Sequence, residues 1–186
     1  MSQITQEIKD ELANNAHPKL GRLFLNNLSI LFAGDDASNK QAMEVGFFEE
    51  ALKLEVAVMA ADGEIADAER ELFYEFTGKF GIPQEVCDAL IAAAPHITAD
   101  QARLVAEKAQ LVDGYRENMT NVVLGTLLIG TCFAIADGLQ GSELNFLYEA
   151  AKQVDIAEEM VDAAVMALKE ENELWHSWAR IFKPSS

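Results

Sequence analysis

The chain has 186 residues, with 31 Asp and Glu against 14 Lys and Arg and a formal charge of −17 at pH 7. A field of that sign repels phosphate backbones and anionic membrane surfaces, which excludes nucleic acid and membrane insertion from the expected partners. Half of the residues are apolar (50%) and only four are proline, which bounds the chain as one helix-rich folded domain with a sizeable core.

The N-terminus, Met1 to Glu7, has neither a basic start nor an apolar signal core, so nothing there directs export. Leu20, Phe24, Leu28 and Leu31 recur at helical spacing after Pro18, and Gly34-Asp35-Asp36 ends that pattern. Two helices are expected in the first 40 residues. After a polar break at Ser38-Asn39-Lys40, a long helix is predicted to run toward Ala61 with Phe47, Leu54, Val58 and Ala61 on one face. Leu72, Phe73, Phe76 and Phe80 stripe the next helix. Gly81 and Pro83 stop it and start another that carries Val86, Leu90 and Ile91.

Pro95 ends that element, and Thr98 with Gln101 has the spacing of a capping box. Asp113-Gly114 breaks the following helix before the longest apolar run, Val122 to Ala136. Gly125, Thr126, Gly130 and Thr131 interrupt that run, and it falls short of the roughly 20 residues of a membrane span. It is predicted to be a buried central helix. Leu144, Leu147, Tyr148 and Ala151 stripe the next helix, Ile156 to Leu168 supplies another, and Trp175, Trp178 and Phe182 continue at helical spacing. No stretch alternates long enough for a strand, so the class is all-α with about eight or nine helices. The expected organisation is an N-terminal helical extension over 1–45, a helical body over 46–170 and an aromatic helix and tail over 171–186. Met43, Met59, Met119, Met160 and Met166 lie among apolar neighbours and are expected to fill the core. Cys87 and Cys132 are isolated in apolar patterns, which points to a reducing, cytoplasmic setting.

One motif occurs twice. Ala61-Asp62-Gly63-Glu64-Ile65-Ala66-Asp67-Ala68-Glu69 is answered by Ala136-Asp137-Gly138-Leu139-Gln140-Gly141-Ser142-Glu143, and Phe80-Gly81-Ile82 by Val154-Asp155-Ile156. Each copy follows an apolar helical run and opens another, as in a duplicated helix–loop–helix unit. Oxygen donors crowded as in Asp62, Glu64, Asp67 and Glu69 suit a hard divalent cation, Ca²⁺, Mg²⁺ or Mn²⁺. The competing structural role is a turn after a helix end, with Asp67 and Glu69 at the positive N-terminus of the next helix. An EF-hand is excluded: aligning Asp62, Gly63 and Glu69 to its second half puts Val58 and Ala60 where ligands belong. Glu173 and His176 have di-iron spacing, but the second such motif is missing, and His17 and His96 lie far off beside prolines. No phosphate loop or nucleophile elbow occurs, so no enzyme is expected. An enzymatic alternative, a two-metal hydrolase, needs both loops to share one site.

The run Ala-Asp-Gly-Glu-Ile, the acid-rich helix start at Glu69 and Phe80-Gly81-Ile82, repeated in degenerate form, resembles the TerB family of tellurite-resistance proteins. That fold also forms the N-terminal module of membrane-anchored DnaJ-type co-chaperones. The resemblance covers about residues 46–170. It implies an all-helical pseudo-symmetric fold, acidic clusters for divalent cations, and a non-enzymatic cytoplasmic role in stress response or chemical defence. Carried over by position, the metal candidates are Asp62 and Glu69 in the first copy, joined by Glu64, and Asp137 and Glu143 in the second. Leu139 replaces the acid found at Glu64, and Ala66 stands where a capping Ser or Thr is usual, which implies a weaker second site. The alternative is a metal-free interaction scaffold that recruits a protein partner through its acidic surface or its aromatic C-terminal stripe.

Overall fold

A helix that is apolar on every side belongs at the centre of its domain, and the run Val122–Ala134 has that character. A computed structural model describes residues 36–135, 138–166 and 168–169. In chain order the helices are α1 (Asp36–Glu44), α2 (Phe47–Met59), α3 (Asp67–Lys79), α4 (Gln84–Ala93), a 3₁₀ turn (Ala94–His96), α5 (Gln101–Gln110), α6 (Asp113–Arg116), α7 (Met119–Ala134) and α8 (Gly141–Lys152). A last helix, α9, begins at residue 158 and continues to 166. Every regular element among the described residues is helical, and they close on one core, so the chain is an all-α single domain.

The central pair is α2 and α7. Leu54, Val56, Val58 and Met59 of α2 and Val122, Val123, Leu127 and Ile129 of α7 are all buried. They come close at Gly130, where a Cβ would meet the Glu55 carbonyl oxygen and the Val58 Cβ at 3.0 Å. A side chain there forces its neighbours to give way. Thr126 and Thr131 are buried in the same helix, and each hydroxyl donates to the carbonyl four residues back, at 3.0 and 2.8 Å. No polar group of those side chains is therefore left for the core to satisfy. The outer helices pack onto this pair. α5 lies against both, and α3 meets α7 through Phe73 and Phe76 on Phe133, with ring centroids 5.7 and 5.4 Å apart.

Four expectations are corrected. Ser38-Asn39-Lys40 is not a break but lies inside α1, and the turn falls instead at Val45–Gly46, where Gly46 takes φ 74°. Gln41 fastens α1 to the body: its amide donates to the Leu111 carbonyl at 2.7 Å and its oxygen accepts the Asp113 N–H at 3.1 Å, spanning the gap between α5 and α6. The Thr98–Gln101 capping box does not form, because the Gln101 side chain reaches across to the Glu50 carbonyl and carboxylate on α2, at 3.1 and 2.6 Å. Met59 is core, but Met43, Met160 and Met166 are exposed. Leu72 and Val86 are also exposed, because α3 buries only the narrow line Glu69–Phe73–Thr77 and Val86 sits in the outward-facing first turn of α4. The expected helices of residues 1–35 and the aromatic stripe at Trp175, Trp178 and Phe182 lie outside the described residues.

One buried acid was not anticipated. Glu55 is 3% exposed, its Oε2 has no hydrogen-bond partner among the described residues, and the facing helix α7 contains no charged residue. Burial alone pushes its carboxyl well above the usual carboxylate range. Because the folded-state value exceeds the unfolded value of about 4.3, the folded chain keeps a proton that the unfolded chain releases. Stability therefore falls as pH rises through that window, by up to about 1.4 kcal/mol per pH unit. Replacing Glu55→Gln removes this term. The expected result is that the unfolding free energy of the variant, measured by urea titration between pH 4.5 and 8, gains steadily on the parent as pH rises. Parallel curves would show that Glu55 ionises freely in the folded protein.

Candidate functional site

Both acidic loops start where a central helix runs out. α2 ends at Met59, and Gly63 donates to the Ala60 carbonyl at 3.0 Å with φ 98°, a left-handed conformation that favours glycine. The chain then turns on Asp62, whose Oδ1 accepts the Glu64 N–H at 2.9 Å in an Asx turn. Ala66 is extended, and α3 begins with the bond from Arg70 N–H to the Ala66 carbonyl at 3.0 Å. Ala66 has no side-chain acceptor, so only the return half of a capping box forms: Glu69 Oε2 accepts the Ala66 N–H at 2.6 Å.

The second loop repeats this geometry at the end of α7. Gly138 has φ 109°, Gln140 is extended, and Glu143 Oε2 accepts the Gln140 N–H at 2.5 Å. The Gln140 side chain donates to the Gly138 carbonyl instead of capping the helix. Glu69 and Glu143 are 2% and 1% exposed. A carboxylate that sits over a helix N-terminus and accepts a backbone N–H there is favoured by the helix dipole and by the charged hydrogen bond.

The agreement continues beyond the loops at an offset of 74 residues (69 and 143, 74 and 148, 88 and 162). Tyr74 donates its hydroxyl to Asp88 and Tyr148 donates to Asp162, joining α3 to α4 and α8 to α9. In each pair the carboxylate that accepts the proton holds the phenol above its ordinary range. α3 and α8 also end alike. Ile82 N–H reaches the Thr77 carbonyl and Ile156 N–H the Ala151 carbonyl, with the preceding residues Gly81 and Asp155 at φ 71° and 57°.

The described metal candidates differ in exposure. Asp62 and Glu64 point out from the first loop, whereas Glu69 is turned under the start of α3, and Glu143 is in the same position under α8. Asp137 lies outside the described residues. Among the described residues no three His, Cys, Asp or Glu side chains form a group able to hold a metal ion. Three of the candidate acids, Asp62, Glu69 and Glu143, each hold a backbone N–H. His96 is exposed, while His17, Glu173 and His176 lie outside the described residues.

Missed by the sequence reading were Glu55, Gln41, the Gln101–Glu50 link and the two tyrosine–aspartate clasps. Only the clasps had a readable signal, Tyr and Asp at equal spacing in both copies.

If Glu69 and Glu143 act as helix caps, removing them costs stability wherever the cation goes. Glu69→Ala and Glu143→Ala are each expected to lose about 1–3 kcal/mol, the penalty for a buried N–H left without its partner. Asp62→Asn keeps the Asx turn and is expected to be close to neutral. Urea unfolding in EDTA checks this, and a neutral Glu69→Ala would refute the cap.

A family model described as tellurite resistance protein TerB matches residues 49–166, inside the 46–170 span expected from the motifs. No curated protein and no solved structure matches the chain. The match takes in both loops, both tyrosine–aspartate clasps and the central pair α2 and α7, and on that extent the chain belongs to the TerB family.

Proposed function

We propose that this chain is a non-enzymatic, cytoplasmic helical module of a tellurite-resistance or stress-response system that works by binding a protein partner and needs no metal to hold its shape. The observation that carries this reading is the pair of buried glutamates, Glu69 and Glu143, each spent on the backbone N–H that opens the next helix. Acids engaged in this way build the loops from within. What remains at the surface is a helical body of strong negative charge, suited to steering a cationic partner. No helix among the described residues is long and apolar enough to cross a membrane.

A divalent cation is the second reading, favoured by one observation: Asp62 and Glu64 are both exposed on a tight loop two residues apart. Two carboxylates completed by water and backbone carbonyls make a weak, open site for Ca²⁺, Mg²⁺ or Mn²⁺. Glu69 holds the Ala66 N–H through Oε2, so an oxygen it adds would be its Oε1, on a side chain that is 2% exposed. Asp137 and Glu143 would form the corresponding site on the second loop, with one acid fewer.

Calorimetric titration of chelator-treated protein separates the two. The metal-free module is expected to give no heat in Ca²⁺, Mg²⁺ or Mn²⁺ beyond an ionic-strength-matched NaCl control. Binding in the range of calcium sensors, about 10⁻⁷–10⁻⁵ M, and lost in Asp62→Asn, would transfer the assignment to the cation.

A further inference from the structure

We infer that the cleft between the C-terminal end of α2, the 3₁₀ turn and one face of α8 receives a lysine- or arginine-bearing peptide segment of a partner protein. This inference rests on the binding-module reading and names the partner's chemistry. The cleft has a volume of about 350 Å³, at the lower end of the range that takes small ligands and enough for one or two long side chains. Ala57 of α2 and Ala60 and Ala61 of the turn that follows it form one wall, and their small side chains let an incoming backbone approach closely. The opposite wall is α8, which presents Asn145, Phe146 and Glu149 on one helical face.

The charge of the cleft is one-sided. Glu149 is an exposed acid on its wall, no Lys or Arg among the described residues lines it, and the chain continues from Ala61 directly into the exposed Asp62 and Glu64. The C-terminus of α2 adds the negative end of its dipole. The first turn of α8 carries the opposite sign, but the Glu143 carboxylate already occupies that turn. A lysine or arginine fits this chemistry part by part. Its methylene stem lies along Phe146 and the alanines, its cation faces the Phe146 ring and the Glu149 carboxylate, and the Asn145 amide oxygen accepts a hydrogen bond. An acidic segment meets repulsion at both rims.

The test uses the full chain in EDTA and a fluorescein-labelled amphipathic Lys/Leu peptide, with a Glu/Leu peptide of equal length as comparison, read by fluorescence anisotropy. The parent is expected to bind the Lys/Leu peptide and not the Glu/Leu peptide. Glu149→Lys is expected to weaken binding about tenfold, while Glu117→Lys, the same charge change at an exposed position outside the cleft, changes it less than about twofold. Circular-dichroism melts check that both variants stay folded. Ala60→Leu, which fills the cleft without altering charge, should weaken binding as well. Equal losses in Glu149→Lys and Glu117→Lys, or no binding of the Lys/Leu peptide, would overturn the cleft assignment. Glu149-dependent binding that appears only when Ca²⁺ replaces EDTA would support the cleft and overturn the metal-free reading instead.

Discussion

The contact on which the rest of this fold depends is the crossing of α2 and α7 at Gly130. With no side chain at that position, the backbone of α7 comes within contact distance of the Glu55 and Val58 turn of α2. Both helices can then be largely buried: α7 has no charged residue, and α2 buries even Glu55 while its Glu49 stays at the surface. The burial of large apolar side chains such as Leu54, Met59, Leu127 and Ile129 supplies the driving force, roughly 1.5–3 kcal/mol for each. The loops inherit their places from this crossing, because each one begins at the end of one of the two helices.

Three buried glutamates show how differently the same side chain is accommodated. Glu69 and Glu143 lie over helix N-termini, where a backbone N–H and the dipole favour the charge. Glu55 lies in the middle of a helix against an apolar neighbour, where only protonation relieves it. The former pair strengthens the fold as carboxylates, while the latter weakens it whenever it ionises. A motif that looks in sequence like a ligand cluster is thus, for Asp62 and Glu69, a set of turn and cap bonds. The acids that remain exposed shape the field around the molecule.

The helical elements were legible because strong periodicity and punctuation marked them: the stripe of α8, the stop at Gly81–Pro83 and the long charge-free run of α7. The two loops were legible as equivalents because Gly138 follows Gly63 in kind and Glu143 follows Glu69. The role of the acids was not, since a helix-capping glutamate and a cation ligand have the same letter and the same spacing to a glycine. The polar triplet Ser38–Lys40 looked like a break for a related reason. Its helix is stabilised by Gln41 reaching the α5–α6 gap 70 residues away. The exposed Met43, Met160 and Met166 show the opposite failure, apolar residues left on the surface once the central pair is covered.

The central claim is that a missing side chain at Gly130 sets the distance between α2 and α7, and substitution of that glycine tests it most directly. Alanine is the better helix former by about 1 kcal/mol, so Gly130→Ala would stabilise a position with free space around it. Gly78→Ala in α3, where a Cβ meets nothing within 4 Å, provides that comparison. Unfolding free energies of the two variants and the parent, measured side by side in urea, are predicted to diverge. Gly78→Ala should be equal to or above the parent, and Gly130→Ala about 1–3 kcal/mol below it as the new methyl group overpacks the crossing. A Gly130→Ala variant as stable as Gly78→Ala would contradict the account.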